Sequence, residues 1–257
     1  MSQDWDFFFR TVEATRPGPG GLGVCAAALF VDLALRERGP EPARPWLVQV
    51  EVAMQSPRAD GLGDEGESTA LYALEDDLFS ALARSAQARY VGRVTSEGRR
   101  VHFYYAPSDE NLSEIVAEVL ARHPAYPGTT TVRHDPYWDE YRERLAPNLV
   151  EYQSVLTRRT VESARDAGDE LNRPRPIHHW LDFPSAQSRE QFLAQVRGQG
   201  FAITEPDLEE AHSPELPYTA QLSRQDTLQL EFLDGLVTDL VIRGEDSGGQ
   251  YRGWASE

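Results

Sequence analysis

Ile177-His178-His179-Trp180-Leu181-Asp182-Phe183 sets Ile177, His179, Leu181 and Phe183 against His178, Trp180 and Asp182, the period of a half-buried strand. Downstream, Ser185 can cap a helix that turns Phe192, Leu193 and Val196 inward. Residues 201–205 read as the next strand. A proline-punctuated acidic loop, Glu205-Pro206-Asp207-Leu208-Glu209-Glu210, leads past Pro214 and Pro217 to a strand over 218–223. Asp226 is expected to cap a last helix with Leu228, Phe232, Leu236, Leu240 and Val241 inward. Gly248-Gly249 then precedes a closing strand ending in Tyr251-Arg252-Gly253-Trp254. The order is strand, helix, strand, strand, helix, strand.

The same order occurs upstream. Trp46, Val48, Val50 and Val52 alternate with Leu47, Gln49 and Glu51. After a connection at 61–66, Leu71, Leu74, Leu78 and Leu82 recur at helical spacing, with Glu75, Asp76 and Asp77 expected on the opposite side. Segments 90–95 and 99–106 flank Ser96-Glu97-Gly98 as a hairpin, with Val101, Phe103 and Tyr105 expected to share its buried face. Pro107-Ser108 should start a helix striped by Leu112, Ile115, Val116, Val119 and Leu120, and residues 129–134 close the repeat. A strand pair over 5–12 and 29–35, joined by a long loop, precedes it. A linker helix over 148–167, with Leu149, Tyr152, Val155 and Leu156 on one side, is ended by Gly168.

The expected fold is therefore α+β: two tandem ferredoxin-like α/β-sandwich domains, each an antiparallel sheet with helices on one face. Their expected limits are 1–146 and 147–257, the second beginning with the linker helix.

The formal charge of −17 opposes direct binding to nucleic acid, which needs clustered positive charge. It suits a basic protein partner. All 25 basic residues are arginine. Without lysine there is no Walker-type phosphate loop, pyridoxal Schiff base or lysine nucleophile. Cys25 is the single cysteine, which allows no internal disulfide and matches a reducing compartment. The first residues lack a basic segment followed by an apolar run. The chain is expected to be cytoplasmic, with no membrane association.

Gly18, Gly20 and Gly23 satisfy G-x-G-x-x-G in letters only, because Pro17 and Pro19 interleave them and no strand-loop-helix unit surrounds them. Adjacent strand residues point to opposite faces, so His178 and His179 do not chelate one ion. His134-Asp135 and Cys25 likewise have no supporting context. No catalytic residue, cofactor or metal is assigned.

Alternation sends Trp180 to the face opposite Ile177, Leu181 and Phe183, and sets Trp254 against Tyr251 and Gly253 in the same way. In a ferredoxin-like arrangement the first and last strands are neighbours, so His178, Trp180, Arg252 and Trp254 would share the helix-free face. Exposed aromatic rings beside arginine are contact anchors. The competing reading has the linker helix or the first domain cover that face, making both tryptophans internal packing.

Residues 173–257 resemble the family of the regulator of ribonuclease E activity B. The resemblance rests on the 177–183 segment, the Gly200-Phe201 step, the strand at 218–223 and Tyr251-Arg252-Gly253-Trp254, where arginine stands in the place of the family's usual aspartate. Residues 5–141 are similar to a domain of unknown function that often precedes such a module, through Arg93-Val94-Thr95-Ser96-Glu97-Gly98-Arg99-Arg100 and Phe103-Tyr104-Tyr105. The resemblance implies a ferredoxin-like domain that binds a ribonuclease and lowers its activity without chemistry of its own. Two functions follow as expectations. In one, the chain is a non-catalytic binding protein whose partner is a ribonuclease, met by His178, Trp180, Asp182, Arg252 and Trp254 together with acidic Glu205, Asp207, Glu209 and Glu210. In the other, the first domain is an enzyme or small-ligand sensor with an interdomain pocket lined by Tyr104, Tyr126, Tyr137 or Trp138.

Overall fold

The computed structural model describes residues 3–15, 23–204 and 214–256. The chain divides into two compact units, Met1–Pro147 and Asn148–Glu257.

The first unit runs β1 (Trp5–Glu13), β2 (Val24–Asp32), a single turn α1 (Leu35–Arg38), β3 (Trp46–Ala53), α2 (Glu65–Ala86), β4 (Arg89–Ser96), β5 (Arg99–Ala106), α3 (Leu112–Arg122), β6 (Gly128–His134) and a π-helical turn, Glu140–Leu145. Its sheet has the order β1-β2-β4-β5-β3-β6, with every pair antiparallel. The last four strands in that order form the β-α-β-β-α-β repeat, with its first strand between the third and the fourth. The hairpin β1–β2 extends the sheet beyond β4. Val48, Val50 and Val52 of β3 meet Leu71, Leu74, Leu78 and Leu82 of α2, and Leu112, Val116 and Val119 of α3, in one core.

The second unit runs α4 (Leu149–Asp166), β7 (Arg175–Phe183), α5 (Ala186–Val196), β8 (Ala202–Thr204), β9 (Tyr218–Asp226), α6 (Leu230–Asp246) and β10 (Gln250–Ser256). Its antiparallel sheet, β10-β7-β9-β8, repeats the same topology without an added hairpin. Ile177, Leu181 and Phe183 pack with Phe192, Leu193 and Val196 of α5 and Leu233, Val237, Leu240 and Val241 of α6. A capping box starts α4: Asn148 accepts from the Glu151 amide at 2.9 Å and Glu151 from the Asn148 amide at 2.9 Å. Ser185 caps α5 by accepting from the Ser188 amide.

Four local expectations are corrected. Asp226 ends β9 rather than capping a helix, and accepts from Arg224 Nε at 2.8 Å; α6 starts after Gln229, so its inward set shifts and Phe232 is exposed. The helix α3 begins only at Leu112, because Asn111 takes a left-handed conformation. In α2, Glu75 is buried, held by ion-pair and hydrogen-bond partners in the sheet. On β5 the helix side carries Arg100, His102, Tyr104 and Ala106, which pair with or lie beside the even residues of β3; Phe103 and Tyr105 are buried on the other side.

Candidate protein-interaction face

Strand β7 separates two environments. Toward the helices, Ile177, His179, Leu181 and Phe183 are completely buried. There the His179 Nδ1 and the Tyr251 hydroxyl lie 2.8 Å apart. Burial, with Arg224 and His178 nearby, lowers the His179 pKa to about 3 and so keeps the ring neutral. Burial also raises the Tyr251 phenol well above its ordinary value.

The opposite face carries His178, Trp180 and Asp182, paired across to Ser223, Gln221 and Thr219 of β9. The His178 and Trp180 rings stack with centroids 6.1 Å apart. Asp182 accepts from Thr219 Oγ1 at 2.6 Å and lies 3.5 Å from Arg252 Nε. This charge pair places the Arg252 side chain on the same face as Asp182. Thr219, Gln221 and Ser223 were not singled out in the sequence, although the alternation of residues 218–223 was the signal that places them there.

Trp254 is elsewhere. The ladder between β10 and β7 shifts register between Tyr251 and Gly253, so Arg252 is the extra residue of a β-bulge. Gly253, at φ 154°, takes a backbone conformation that side chains rarely adopt. Past the bulge the phase is reversed: Trp254 stands opposite His179, on the helix side. Its Nε1 donates to Thr157 Oγ1 of α4 at 3.0 Å, and the ring packs against the helix-side core. Strict alternation had sent Trp254 to the helix-free face, and one inserted residue overturns it. Of the two competing readings, internal packing by the linker helix describes Trp254, while Trp180 stays on the face opposite the helices. Glu205, Asp207, Glu209 and Glu210 lie outside the described residues, as do Gly18 and Gly20.

The first unit closes the corresponding face with its own chain. Trp138 stacks on Tyr105 with ring centroids 4.1 Å apart and donates to the Arg44 carbonyl oxygen at 2.8 Å. Tyr105 donates to Asp135 Oδ2 at 2.6 Å, and burial together with that carboxylate raises its phenol pKa. Tyr141 donates to the Asp32 carbonyl oxygen at 2.9 Å. Of the four aromatic residues expected to line an interdomain pocket, Tyr104 and Tyr126 belong to the helix-side core and Trp138 to this covering layer; Tyr137 is exposed. Among the described residues, no three His, Cys, Asp or Glu side chains come together as a metal site. No described helix is long and apolar enough to cross a membrane.

The architecture defines a class: a tandem α+β protein of two ferredoxin-like sheets, one of them extended by a hairpin. Residues 3–146 match the family of unknown function DUF695, and the chain belongs to that family. Residues 155–256 match the family described as Regulator of ribonuclease activity B. That match falls within the second unit, and the family's description points to a regulatory, protein-binding role. No curated protein matches the chain. Among solved structures, an unknown protein from Galdieria sulphuraria aligns at 11% identity over 83% of this chain and 98% of its own, with a TM-score of 0.21. A candidate glycine cleavage system transcriptional repressor aligns at 12% identity over 82% and 98%, with a TM-score of 0.22. Likenesses this distant bear no weight on fold or function.

Proposed function

We propose that this chain is a non-catalytic cytoplasmic regulator that binds a ribonuclease through the helix-free face of its second sheet and lowers the enzyme's activity. The observation that carries the reading is the pairing of a ribonuclease-regulator domain with a face bearing Trp180, His178 and the Asp182–Arg252 pair. A planar indole stacked on an imidazole, with a guanidinium–carboxylate pair on the same face, offers apolar area and directed hydrogen bonds, which is the chemistry of contact anchors. Trp254 contributes by fixing α4 to the sheet, behind that face.

The acidic residues Glu205, Asp207, Glu209 and Glu210 supply a second contact to the same partner, and the net charge of −17 favours a basic surface on it. Ribonucleases carry such surfaces where RNA binds, so the regulator competes with substrate. The test is cleavage of a labelled RNA by an endoribonuclease of the ribonuclease E type from the same cells, with the full chain added at low and high salt. Dose-dependent inhibition that weakens with salt supports the reading. Unchanged cleavage at saturating, folded chain would remove it.

A further inference from the structure

Two α-helices cover four strands of the first sheet, and the added hairpin β1–β2 projects past them. Two rows of paired side chains therefore cross the helix side of β1, β2, β4 and β5: Phe9, Ala28, Thr95, Arg100, and Phe7, Phe30, Arg93, His102. Aromatic rings occupy the hairpin end of each row, and each row carries one guanidinium group on β4 or β5. Between these rows, the edge of α2 at Ser68 and Tyr72, and the loop carrying Arg58, Leu62 and Gly63, there is a cavity of about 390 Å³. That is the size of a small-molecule site.

Its charge is opposite to that of the chain. Arg58, Arg93 and Arg100 line it, against the two carboxylates that reach them. Arg58 pairs with Asp60 at 2.6 Å. Arg93 bonds Glu75 at 2.6 and 2.8 Å, both times through Nη1, and Glu75 also accepts from the Tyr90 hydroxyl. Arg100 has only a long ion pair with the Glu75 carboxylate that Arg93 already holds. It is 5% exposed, it spends Nε on Thr95 Oγ1 at 3.3 Å, and its buried Nη1 has no hydrogen-bond partner. The nearest Glu75 oxygen is 3.9 Å away, beyond hydrogen-bond reach. Desolvation and the neighbouring Arg93 lower the Arg100 pKa, and burial with both arginines holds His102 neutral. A buried guanidinium nitrogen without an acceptor is costly, and a bound anion would relieve that cost.

We propose that this cavity binds a small amphipathic anion, a carboxylate or phosphate group on a planar apolar body. The guanidinium groups of Arg100 and Arg93 take the head group. The body lies over Ala28 toward Phe7, Phe9 and Phe30, with the Tyr72 ring as the facing wall. Tyr72 already stacks under both cations, 5.2 Å from Arg93 and 5.5 Å from Arg100, and Phe30 lies 4.4 Å from Arg93.

The test is fluorine NMR on the full chain with fluorobenzoate, fluorophenyl phosphate and the neutral isostere fluorobenzyl alcohol as probes. At least one anion is expected to bind saturably, and the tighter of the two names the head group. Arg100→Gln should weaken that anion about tenfold, the loss of one charge-assisted hydrogen bond. Tyr72→Ala, at an exposed ring outside the core, should also weaken it while leaving thermal unfolding unchanged; it decides the matter if Arg100→Gln does not fold. No binding of either anion, equal binding of the neutral isostere, or parental affinity in the folded variants would overturn the proposal.

Discussion

Tyr90-Val91-Gly92-Arg93 in the first unit and Tyr251-Arg252-Gly253-Trp254 in the second are the same device put to different ends. Each is a β-bulge at a Tyr-x-Gly, with register shifting between the tyrosine and the glycine, and the glycines have φ 155° and 154°. In both, the tyrosine hydroxyl meets a buried partner, Glu75 in one and His179 in the other. The residue after the glycine returns to the helix side. In the first unit that residue is Arg93, beside a cavity lined by the hairpin and the edge of α2. In the second it is Trp254, which α4 covers. One extra residue in a strand thus selects which side chain enters the layer under the helices, and what lies over that layer decides whether the result is a binding site or packing.

Substituting the two glycines separates their surroundings and carries the largest expected effect. A Cβ at Gly92 would stand 2.7 Å from the Phe30 carbonyl oxygen and 2.9 Å from Val31 Cγ1, whereas at Gly253 nothing lies within 4 Å. Gly92→Ala therefore combines backbone strain with a clash against backbone and should destabilise the first unit by about 3 kcal/mol or more. Gly253→Ala adds strain alone, about 1–2 kcal/mol in the second unit. Denaturant unfolding of both variants measures the difference, and equal losses would break the comparison.

Acid sharpens it next. His179 is neutral in the fold with its pKa lowered to about 3, while an unfolded histidine titrates near 6.5. Below about pH 6.5 the unfolded chain binds the proton first. Stability is thus complete above that pH and falls by about 1.4 kcal/mol per unit toward pH 3. Between pH 6.5 and 5 the second unit should lose about 2 kcal/mol through this group. Chemical denaturation at the two pH values checks the slope, and a flat profile would mean that His179 already titrates normally in the fold.

Smaller effects divide the two tryptophans of the second unit. Trp254→Phe removes the bond to Thr157 and should cost about 1 kcal/mol. Trp180→Ala, on the helix-free face, should cost less than about 1 kcal/mol. If Trp180→Ala proves as costly as a core deletion, that face is packed and not available for docking.

The repeat itself was legible, because period-2 alternation in residues 46–52 and 177–183 and leucine spacing in α2 reflect burial by near neighbours in sequence. The helix-free position of Trp180 was legible for the same reason. Trp254 was not: a bulge reverses phase, and its only trace is a glycine inside a strand pattern. Nor was the arginine cavity. Arg100 pairs with Thr95 across a local hairpin turn, but Arg93 is paired with Phe30 from a strand far away in sequence, and the burial of Glu75 follows from its partners in the sheet and not from its place on the α2 helix.

The most direct test of the account is calorimetric titration of the ribonuclease with the full chain, its Trp180→Ala variant and its Trp254→Phe variant. The prediction is at least a tenfold loss of affinity for Trp180→Ala, roughly 1.4 kcal/mol or more, and parental affinity for folded Trp254→Phe. Parental affinity in Trp180→Ala, with loss in Trp254→Phe, would contradict the assignment of the helix-free face as the docking surface.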